Sequence, residues 1–128
     1  MWSRIKDAVL GPVVERPAGL PESVDTTGVT FRCGRLVPRI GGLLGRMGGP
    51  AGAVTLGRTI VLHPDEPASP RLIVHELEHV RQWQDPWFPV RYTLETLRRG
   101  YRQNRYEVEA HRAADRAFPP HPPTREQP

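Results

Sequence analysis

Two histidines four residues apart, with a glutamate directly after the first, are the residues of this chain best suited to chemistry. They are His75, Glu76 and His79 in the segment LIVHELEHVRQWQ. On a helix, residues i and i+4 lie one turn apart on the same face, so two imidazoles there can share one tetrahedral metal ion. Glu76 is rotated by about 100° from His75, close enough to act as base for a metal-activated water. The pattern predicts one Zn²⁺ per chain, with Glu76 as the catalytic residue.

A catalytic zinc site takes three protein ligands and keeps one position open, so a third ligand has to come from outside this motif. Nitrogen and oxygen donors stand just before the motif and in the later segment NRYEVEAHRAAD. Spacing alone leaves the choice open among these candidates, which are His63, Glu107, Glu109, His111 and Asp115. His121 is a poor choice because it lies in a proline-rich tail.

The motif needs a helix to bring its histidines together, and the sequence predicts one over residues 69–84. Ser69 followed by Pro70 is a typical helix start, with a capping side chain and then proline at the first helical position. The segment DPWFP, residues 85–89, is expected to end the helix. An apolar stripe faces the core, while the two histidines and Gln82 lie on another face; the stripe consists of Ile73, Leu77 and Val80.

The elements around this helix are predicted from their hydrophobic patterns. Residues 53–63 form the strongest strand pattern, with Gly57 expected to bend it and four apolar side chains alternating onto one face: Val54, Leu56, Ile60 and Leu62. Weaker patterns predict a short strand at 29–33 and helices at 2–10, 90–100 and 105–117. Asn104 is expected to cap the last helix. The segments 11–28 and 41–53 are rich in proline and glycine and predict irregular chain.

The sequence resembles the small gluzincin-type HExxH metallopeptidase domains in HELEHVRQWQ and in NRYEVEAHRAADRA. With the upstream AVTLGRTIVL, the resemblance covers residues 53–117. It implies a zincin-like α+β fold, in which a curled sheet with an edge strand near 55–62 packs on the 69–84 helix and two helices follow. In this family the third zinc ligand is a glutamate in a pattern like E-x-x-A-D, which implies Glu107.

Glu109 is kept as the alternative third ligand; it lies about 200° round the helix from Glu107, so both cannot bind the same ion. Two further consequences follow from the resemblance. His111 stands where the family often has aspartate, so it is a candidate for supporting the metal ligands from behind. The implied function is a zinc-dependent metallopeptidase that hydrolyses peptide or protein substrates with a zinc-activated water and Glu76 as general base.

Two other functions remain open from the sequence. One is a zinc-binding structural protein on a peptidase-like scaffold without turnover. The other is a basic nucleic-acid binder, since the formal charge is +4 and 17 of the 18 basic residues are arginine. No run of five or six like charges marks a nucleic-acid arm, so nucleic acid is not the expected partner. The basic and aromatic segment at 86–106 is also a candidate for contact with a membrane surface.

Length and composition predict a single domain over residues 1–118, with a loop-rich and poorly defined part at 1–50. The proline-rich tail at 119–128 is expected to be disordered. No window is apolar enough for a membrane span and the first residues lack the apolar core of a secretion signal, so a cytoplasmic location is expected. Cys33 is the only cysteine, which excludes an intramolecular disulfide. The sequence does not determine the oligomeric state.

Overall fold

A computed structural model describes residues 2–44, 51–66 and 68–119 of the chain. Within them lie five helices and four strands, which confirms the predicted α+β class. The helices are α1 (Trp2–Leu10), α2 (Leu36–Leu44), α3 (Pro70–Gln82), α4 (Phe88–Arg99) and α5 (Arg105–Ala117). The strands are β1 (Val13–Val14), β2 (Thr30–Cys33), β3 (Ala53–Leu56) and β4 (Thr59–Leu62).

The four strands form one mixed sheet in the order β1-β2-β4-β3. β4 pairs in parallel with β2 and in antiparallel with β3, so β4 is an inner strand and β3 lies at the edge. The sheet contributes three residues to the buried cluster, and α3 and the loop before β2 contribute one residue each. The buried cluster consists of Leu20, Phe31, Ala53, Ile60 and Ile73.

The prediction of one continuous strand over residues 53–63 is wrong, because the chain forms a β-hairpin there. Gly57 has φ of 63°, a backbone conformation that glycine adopts at little steric cost, and the turn at Gly57 reverses the chain. The turn also changes which side chains share a face: Val54 lies opposite Val61 and Thr55 lies opposite Ile60. The edge strand is therefore β3 alone, and not a strand spanning 55–62.

The glycine-rich segment is more regular than predicted, since α2 extends through its first four residues. Gly41 permits a close approach there: a β-carbon on it would lie 2.8 Å from the Val54 side chain. Strand β1 lies in the segment predicted as a loop. Residues 45–50 and 120–128 lie outside the described residues, and with them most of the proposed disordered tail.

Helices α3 and α5 begin where capping residues predict. Ser69 accepts a hydrogen bond from the Leu72 N–H at 3.2 Å, and Asn104 accepts one from the Tyr106 N–H at 2.9 Å. The bounds of α3 are Pro70–Gln82, slightly shorter than expected. The fully buried Asn104 also donates to the Tyr92 carbonyl and the Thr96 hydroxyl, so one side chain starts α5 and holds α4 against it.

Helices α3 and α5 pack together in an antiparallel arrangement. Side-chain pairs between them fall in a regular register: Arg71 with Asp115, His75 with His111, and His79 with Glu107. The paired residues are four positions apart on each helix and run in opposite directions, as expected when one face of a helix packs against one face of an antiparallel neighbour. Ala110 and Ala114 are buried on α5, and such small side chains allow the close approach.

Helix α4 is attached to α3 and α5 through an aromatic cluster. The ring of Phe88 lies 5.3 Å from that of Trp83 and 5.1 Å from that of Tyr106, between ring centres. Within the described ranges, no helix is both long and apolar enough to cross a membrane.

Candidate metal centre

Three of the residues singled out by the sequence meet between α3 and α5. Ligand atoms of His75, His79 and Glu107 all lie within 4.8 Å of one another. Nε2 of His75 is 2.9 Å from Oε2 of Glu107, and Nε2 of His79 is 3.1 Å from Oε1 of the same carboxylate. The i, i+4 spacing places both imidazoles on one face of α3, and the antiparallel packing places Glu107 opposite them.

The chemistry of this donor set fits a zinc ion. Two imidazole nitrogens and one carboxylate form one of the known three-residue ligand sets of catalytic zinc, in which a fourth position stays open. Tetrahedral bonds of about 2.0–2.1 Å place neighbouring ligand atoms roughly 3.3 Å apart, and the two measured nitrogen–oxygen separations are only slightly shorter. Small side-chain shifts would therefore admit the ion. The same donors also suit other transition metals, so the arrangement does not specify the metal.

Gln82 fixes the orientation of the His79 ring. The Gln82 side-chain nitrogen donates to the Tyr106 carbonyl at 3.0 Å, which requires its oxygen to be the atom that faces Nδ1 of His79 at 2.8 Å. A carbonyl oxygen can only accept, so Nδ1 of His79 carries a proton. Nε2 is then the nitrogen whose lone pair can bind a metal once its own proton is lost.

His111 contacts His75 from the side away from Glu107. The two Nδ1 atoms are 3.3 Å apart, and the rings stand almost perpendicular, with centres 5.2 Å apart. Because Nε2 of His75 faces Glu107, the contact with His111 holds the opposite nitrogen of the same ring. His111 is exposed, whereas Gln82 is buried, so the two histidines are supported in different environments.

The electrostatics of the cluster centre on Glu107. Burial alone would raise the pKa of Glu107, but hydrogen bonds from His75 and His79 and the charge of His79 outweigh it and hold that pKa well below its ordinary range. Burial likewise lowers the pKa of His79, and Glu107 more than compensates, raising it to about 9. Without a metal, the two groups form a buried ion pair, which places a negative charge where a cation would be bound.

Two tyrosines border the Glu107 carboxylate. The Tyr92 hydroxyl donates to Oε1 of Glu107 at 2.6 Å. Burial, together with the negative charge of Glu107, raises the pKa of Tyr92 and also that of Tyr101. Both phenols therefore stay protonated and can act as hydrogen-bond donors inside the site.

Glu76 is buried beside this cluster and is held by the sheet. The Thr55 hydroxyl donates to Oε2 of Glu76 at 2.6 Å and lies 3.2 Å from the Glu76 carbonyl oxygen. Burial raises the pKa of Glu76, and the nearby histidines and the Thr55 hydrogen bond oppose this shift only in part. A carboxylate with a raised pKa is a better proton acceptor than an ordinary one, as a general base requires.

A pocket of about 460 Å³ opens next to these groups. Glu76, His79 and Glu107 form its polar end, and most of the other lining side chains are apolar or aromatic. One wall is the edge strand β3, and the opposite wall is α4. The volume lies in the range of small-molecule and peptide side-chain sites.

Three of the other third-ligand candidates have partners outside the group formed by His75, His79 and Glu107. Glu109 is exposed and is not in the group of mutually close ligand atoms; its carboxylate accepts a hydrogen bond from the Gln82 side-chain nitrogen at 3.3 Å. Asp115 pairs with Arg71. His63 follows β4, and its Nδ1 accepts a hydrogen bond from the Asp65 N–H at 3.1 Å.

Sequence reasoning missed the supporting roles of three residues in this site. Gln82 was placed on the face of the histidines but given no role, although it is three residues after His79 and therefore on the adjacent turn. Thr55 is a polar residue within an apolar strand pattern, a signal that the assumed continuous strand obscured. Tyr92 has no role at the site in the sequence prediction, and only the packing of α4 on α5 brings its hydroxyl to Glu107.

Comparison with known proteins identifies a likeness over part of the chain. A family model described as the eCIS core domain, a small domain of extracellular contractile injection systems, matches residues 47–86. The match spans 40 of the 128 residues and includes the hairpin and the motif helix with His75, Glu76 and His79; Glu107 lies outside it. This likeness does not extend to the gluzincin-type peptidases. No curated protein and no solved structure matches the chain.

Proposed function

We propose that this protein is a zinc-dependent metallopeptidase whose zinc ligands are His75, His79 and Glu107. The observation that supports the proposal best is the convergence of these three side chains beside a pocket whose lining includes His79, Glu107 and Glu76. Two histidines and a carboxylate suit zinc, and a buried glutamate with a raised pKa suits a general base. A purely structural zinc site would have no use for an adjoining pocket or a poised base.

Different groups of the site have separate roles in the proposed hydrolysis of a peptide bond. When bound, zinc supplies a Lewis acid that polarises the scissile carbonyl and lowers the pKa of water. Glu76 accepts a proton as the water oxygen bonds to the carbonyl carbon, and then delivers that proton to the nitrogen as the carbon–nitrogen bond breaks. Thr55 holds one oxygen of Glu76, and the protonated Tyr92 and Tyr101 line the pocket as hydrogen-bond donors.

The substrate is proposed to be a peptide or protein that lies along the pocket beside β3. The indole N–H of Trp83 donates to the Thr55 carbonyl at 3.2 Å, so this carbonyl points away from β4 towards the free edge. In an antiparallel pair, the backbone groups of every second residue point away from the partner strand, so the N–H and carbonyl of Ala53 also point towards the free edge. An extended peptide can therefore add to the edge at Ala53, where β-strand addition supplies backbone hydrogen bonds.

The likeness to the eCIS core domain supports action in the setting of a contractile injection system. It covers the two histidines and Glu76, so the proposed chemistry falls within the shared segment, apart from the third ligand. The cytoplasmic location expected from the sequence remains a prediction.

The decisive experiment is elemental analysis of the purified full-length chain after removal of metal with a chelator and dialysis against zinc. Wild-type protein is expected to retain close to one zinc ion per chain, and His79→Ala and Glu107→Ala are expected to lose it. Glu109→Ala is a matched control, because it removes the same side chain two residues away on the same helix. Zinc-free wild-type protein, or equal loss in Glu107→Ala and Glu109→Ala, would overturn the ligand assignment.

Catalysis is tested separately with Glu76→Gln. This variant keeps the shape of the side chain and removes its ability to accept a proton, so zinc content is expected to stay while peptide hydrolysis falls at least about 100-fold. Cleavage of a denatured protein substrate followed by mass spectrometry provides the measurement. Zinc binding with cleavage unchanged in Glu76→Gln would remove Glu76 from the mechanism, and zinc binding without any cleavage would favour the non-catalytic alternative.

A further inference from the structure

The outer face of α4 carries a stripe of exposed apolar side chains. Trp87, Val90, Leu94 and Leu97 follow one another at intervals of three, four and three residues, so they lie along one side of the helix and its N-cap. Their exposed fractions are 63%, 53%, 47% and 79%. The opposite side of the helix is the one that packs inward, through Phe88 and Tyr92.

The charge around this stripe is positive. Residues 85–106 contain five arginines and two acidic residues, Asp85 and Glu95, which leaves a formal charge of +3. Arg91 and Arg98 are about 80–100° from Val90 around the helix, so they border the same edge of the apolar stripe, where Arg91 also pairs with Asp85 at 3.0 Å. Glu95 lies further round towards the packed side and pairs with Arg99 at 3.6 Å. An apolar stripe bordered by arginines is the pattern of a helix that lies in a membrane interface.

We propose that α4 is a docking surface for an anionic lipid bilayer. Trp87, Leu94 and Leu97 enter the boundary between headgroups and acyl chains, where tryptophan and leucine are favoured. Arg98 and Arg102 extend to the lipid phosphates, since arginine side chains keep their charged ends at the headgroup level. The stripe is one helix wide and is bordered by arginines, a combination that suits an anionic bilayer.

This docking would place the pocket next to the bilayer. Pro89, Thr93 and Leu97 of α4 are also lining residues of the pocket. The proposal concerns where the protein binds, and it holds whether or not the metal centre is catalytic. Zinc content, measured in each variant below, separates a failure of the lipid surface from a failure of the metal centre.

The test is co-sedimentation of the full-length chain with vesicles. Vesicles made from equal parts of phosphatidylcholine and phosphatidylglycerol are expected to bind the protein at low salt, and vesicles of phosphatidylcholine alone are expected to bind it far less. The double variant Leu94→Ser with Leu97→Ser is expected to reduce partitioning to the anionic vesicles by at least about tenfold, because it removes apolar surface from the interface.

Two pairs of matched controls locate the surface. Ile5→Ser with Val9→Ser removes two exposed apolar side chains, 47% and 45% exposed, from α1 and is expected to leave binding unchanged. Arg98→Glu with Arg102→Glu is expected to weaken binding, whereas Arg112→Glu with Arg116→Glu on α5 makes the same change in net charge and is expected to have a much smaller effect.

Several results would overturn the proposal. Wild-type protein that stays in the supernatant with anionic vesicles at low salt excludes a lipid surface. Equal losses in the α4 and α1 variants, or in the two charge-reversal variants, would show that binding does not involve α4. Binding to polyglutamate without binding to vesicles would identify an acidic protein as the partner instead. Each variant is required to have the zinc content and the circular dichroism spectrum of the wild type in these comparisons.

Discussion

The two histidines of the candidate site differ in the residue that contacts the Nδ1 atom of each ring. Gln82 accepts from Nδ1 of His79 and at the same time donates to the Tyr106 carbonyl, so one buried amide selects the tautomer of a proposed ligand and links α3 to α5. His75 has an exposed histidine, His111, in the corresponding position. The rigid support is therefore on His79, and substitution at Gln82 should have the larger consequence.

Gln82→Leu is expected to weaken zinc affinity by about 10–100-fold, because the His79 ring loses the acceptor that orients it. Competition with a coloured chelator measures this affinity. Gln84→Leu is the matched control, since Gln84 is exposed just beyond the end of α3. Equal affinities in the two variants would show that Gln82 has no positioning role.

Gln82→Glu distinguishes positioning of the histidine from general stability. The glutamate keeps an acceptor for Nδ1 of His79 but cannot donate to the Tyr106 carbonyl. Zinc affinity is expected to stay near that of the wild type, whereas the free energy of unfolding falls by about 1–3 kcal/mol because a buried acceptor loses its donor. Zinc affinity as low as in Gln82→Leu would assign the effect to disrupted packing.

At the scale of elements, the site depends on two helices with matching registers and on one hairpin. Asn104 caps α5 and binds α4, which fixes the position of Glu107 within its first turn. The hairpin places Thr55 on the side that faces α3, where its hydroxyl holds Glu76. A shift of one residue in the hairpin would turn Thr55 to the opposite face of the sheet.

Two glycines of the described turns provide a test of this framework. Gly11 has φ of 85°, and a β-carbon there would lie only 1.9 Å from the Cys33 carbonyl oxygen, so Gly11→Ala forces the end of α1 away from β2. We expect Gly11→Ala to cost at least about 2 kcal/mol of unfolding free energy. Gly57→Ala, with nothing within 4 Å of the added carbon, should cost about 1 kcal/mol from the backbone conformation alone.

Urea denaturation of the metal-free variants measures both costs. Equal costs for the two glycines would mean that the contact between Gly11 and Cys33 relaxes without loss of stability. Zinc content should stay at the wild-type level in Gly57→Ala, since the turn is remote from the metal ligands in the chain.

For the whole molecule, the buried cluster makes stability depend on pH and metal. The pKa of His79 is raised from 6.5 to about 9. The charged His79 therefore contributes fully to the free energy of unfolding below pH 6.5, and this contribution is lost as the pH rises through 9. The pKa of Glu107 is lowered, so its contribution is present above the unfolded value of 4.5 and is lost on acidification. The pair therefore stabilises the metal-free protein most between pH 4.5 and 6.5.

Chelator-treated protein is expected to lose on the order of 1–3 kcal/mol of unfolding free energy between pH 6.5 and 9.5, as the His79 proton is lost. Urea denaturation at the two pH values measures the difference, and His79→Gln should remove most of it. Saturating zinc is expected to reverse the trend, because the metal competes with that proton and binds more tightly as the pH rises. A pH trend that is the same with and without zinc would contradict this assignment.

The sequence by itself determined the local features of the protein. Capping residues located the starts of α3 and α5, because the side chain that satisfies free backbone N–H groups is adjacent in the chain. The i, i+4 spacing placed His75 and His79 on one face, because the geometry of a helix relates residues that are close together in the chain. The α+β class was predicted from the strand patterns, these helices and the family resemblance, whereas α2 was missed because its glycines weaken the helical pattern even though Gly41 permits close packing on Val54.

Only the tertiary structure decided which distant residues meet. Glu107 and Glu109 are the same residue type and stand only two positions apart in the chain. The rotation of α5 against α3 turns Glu107 towards the histidines and leaves Glu109 exposed. The hairpin likewise decided that Thr55 supports Glu76, since a single turn changes the face of every later side chain. Contacts of this kind depend on how elements pack, and the spacing of residues along one chain does not specify that packing.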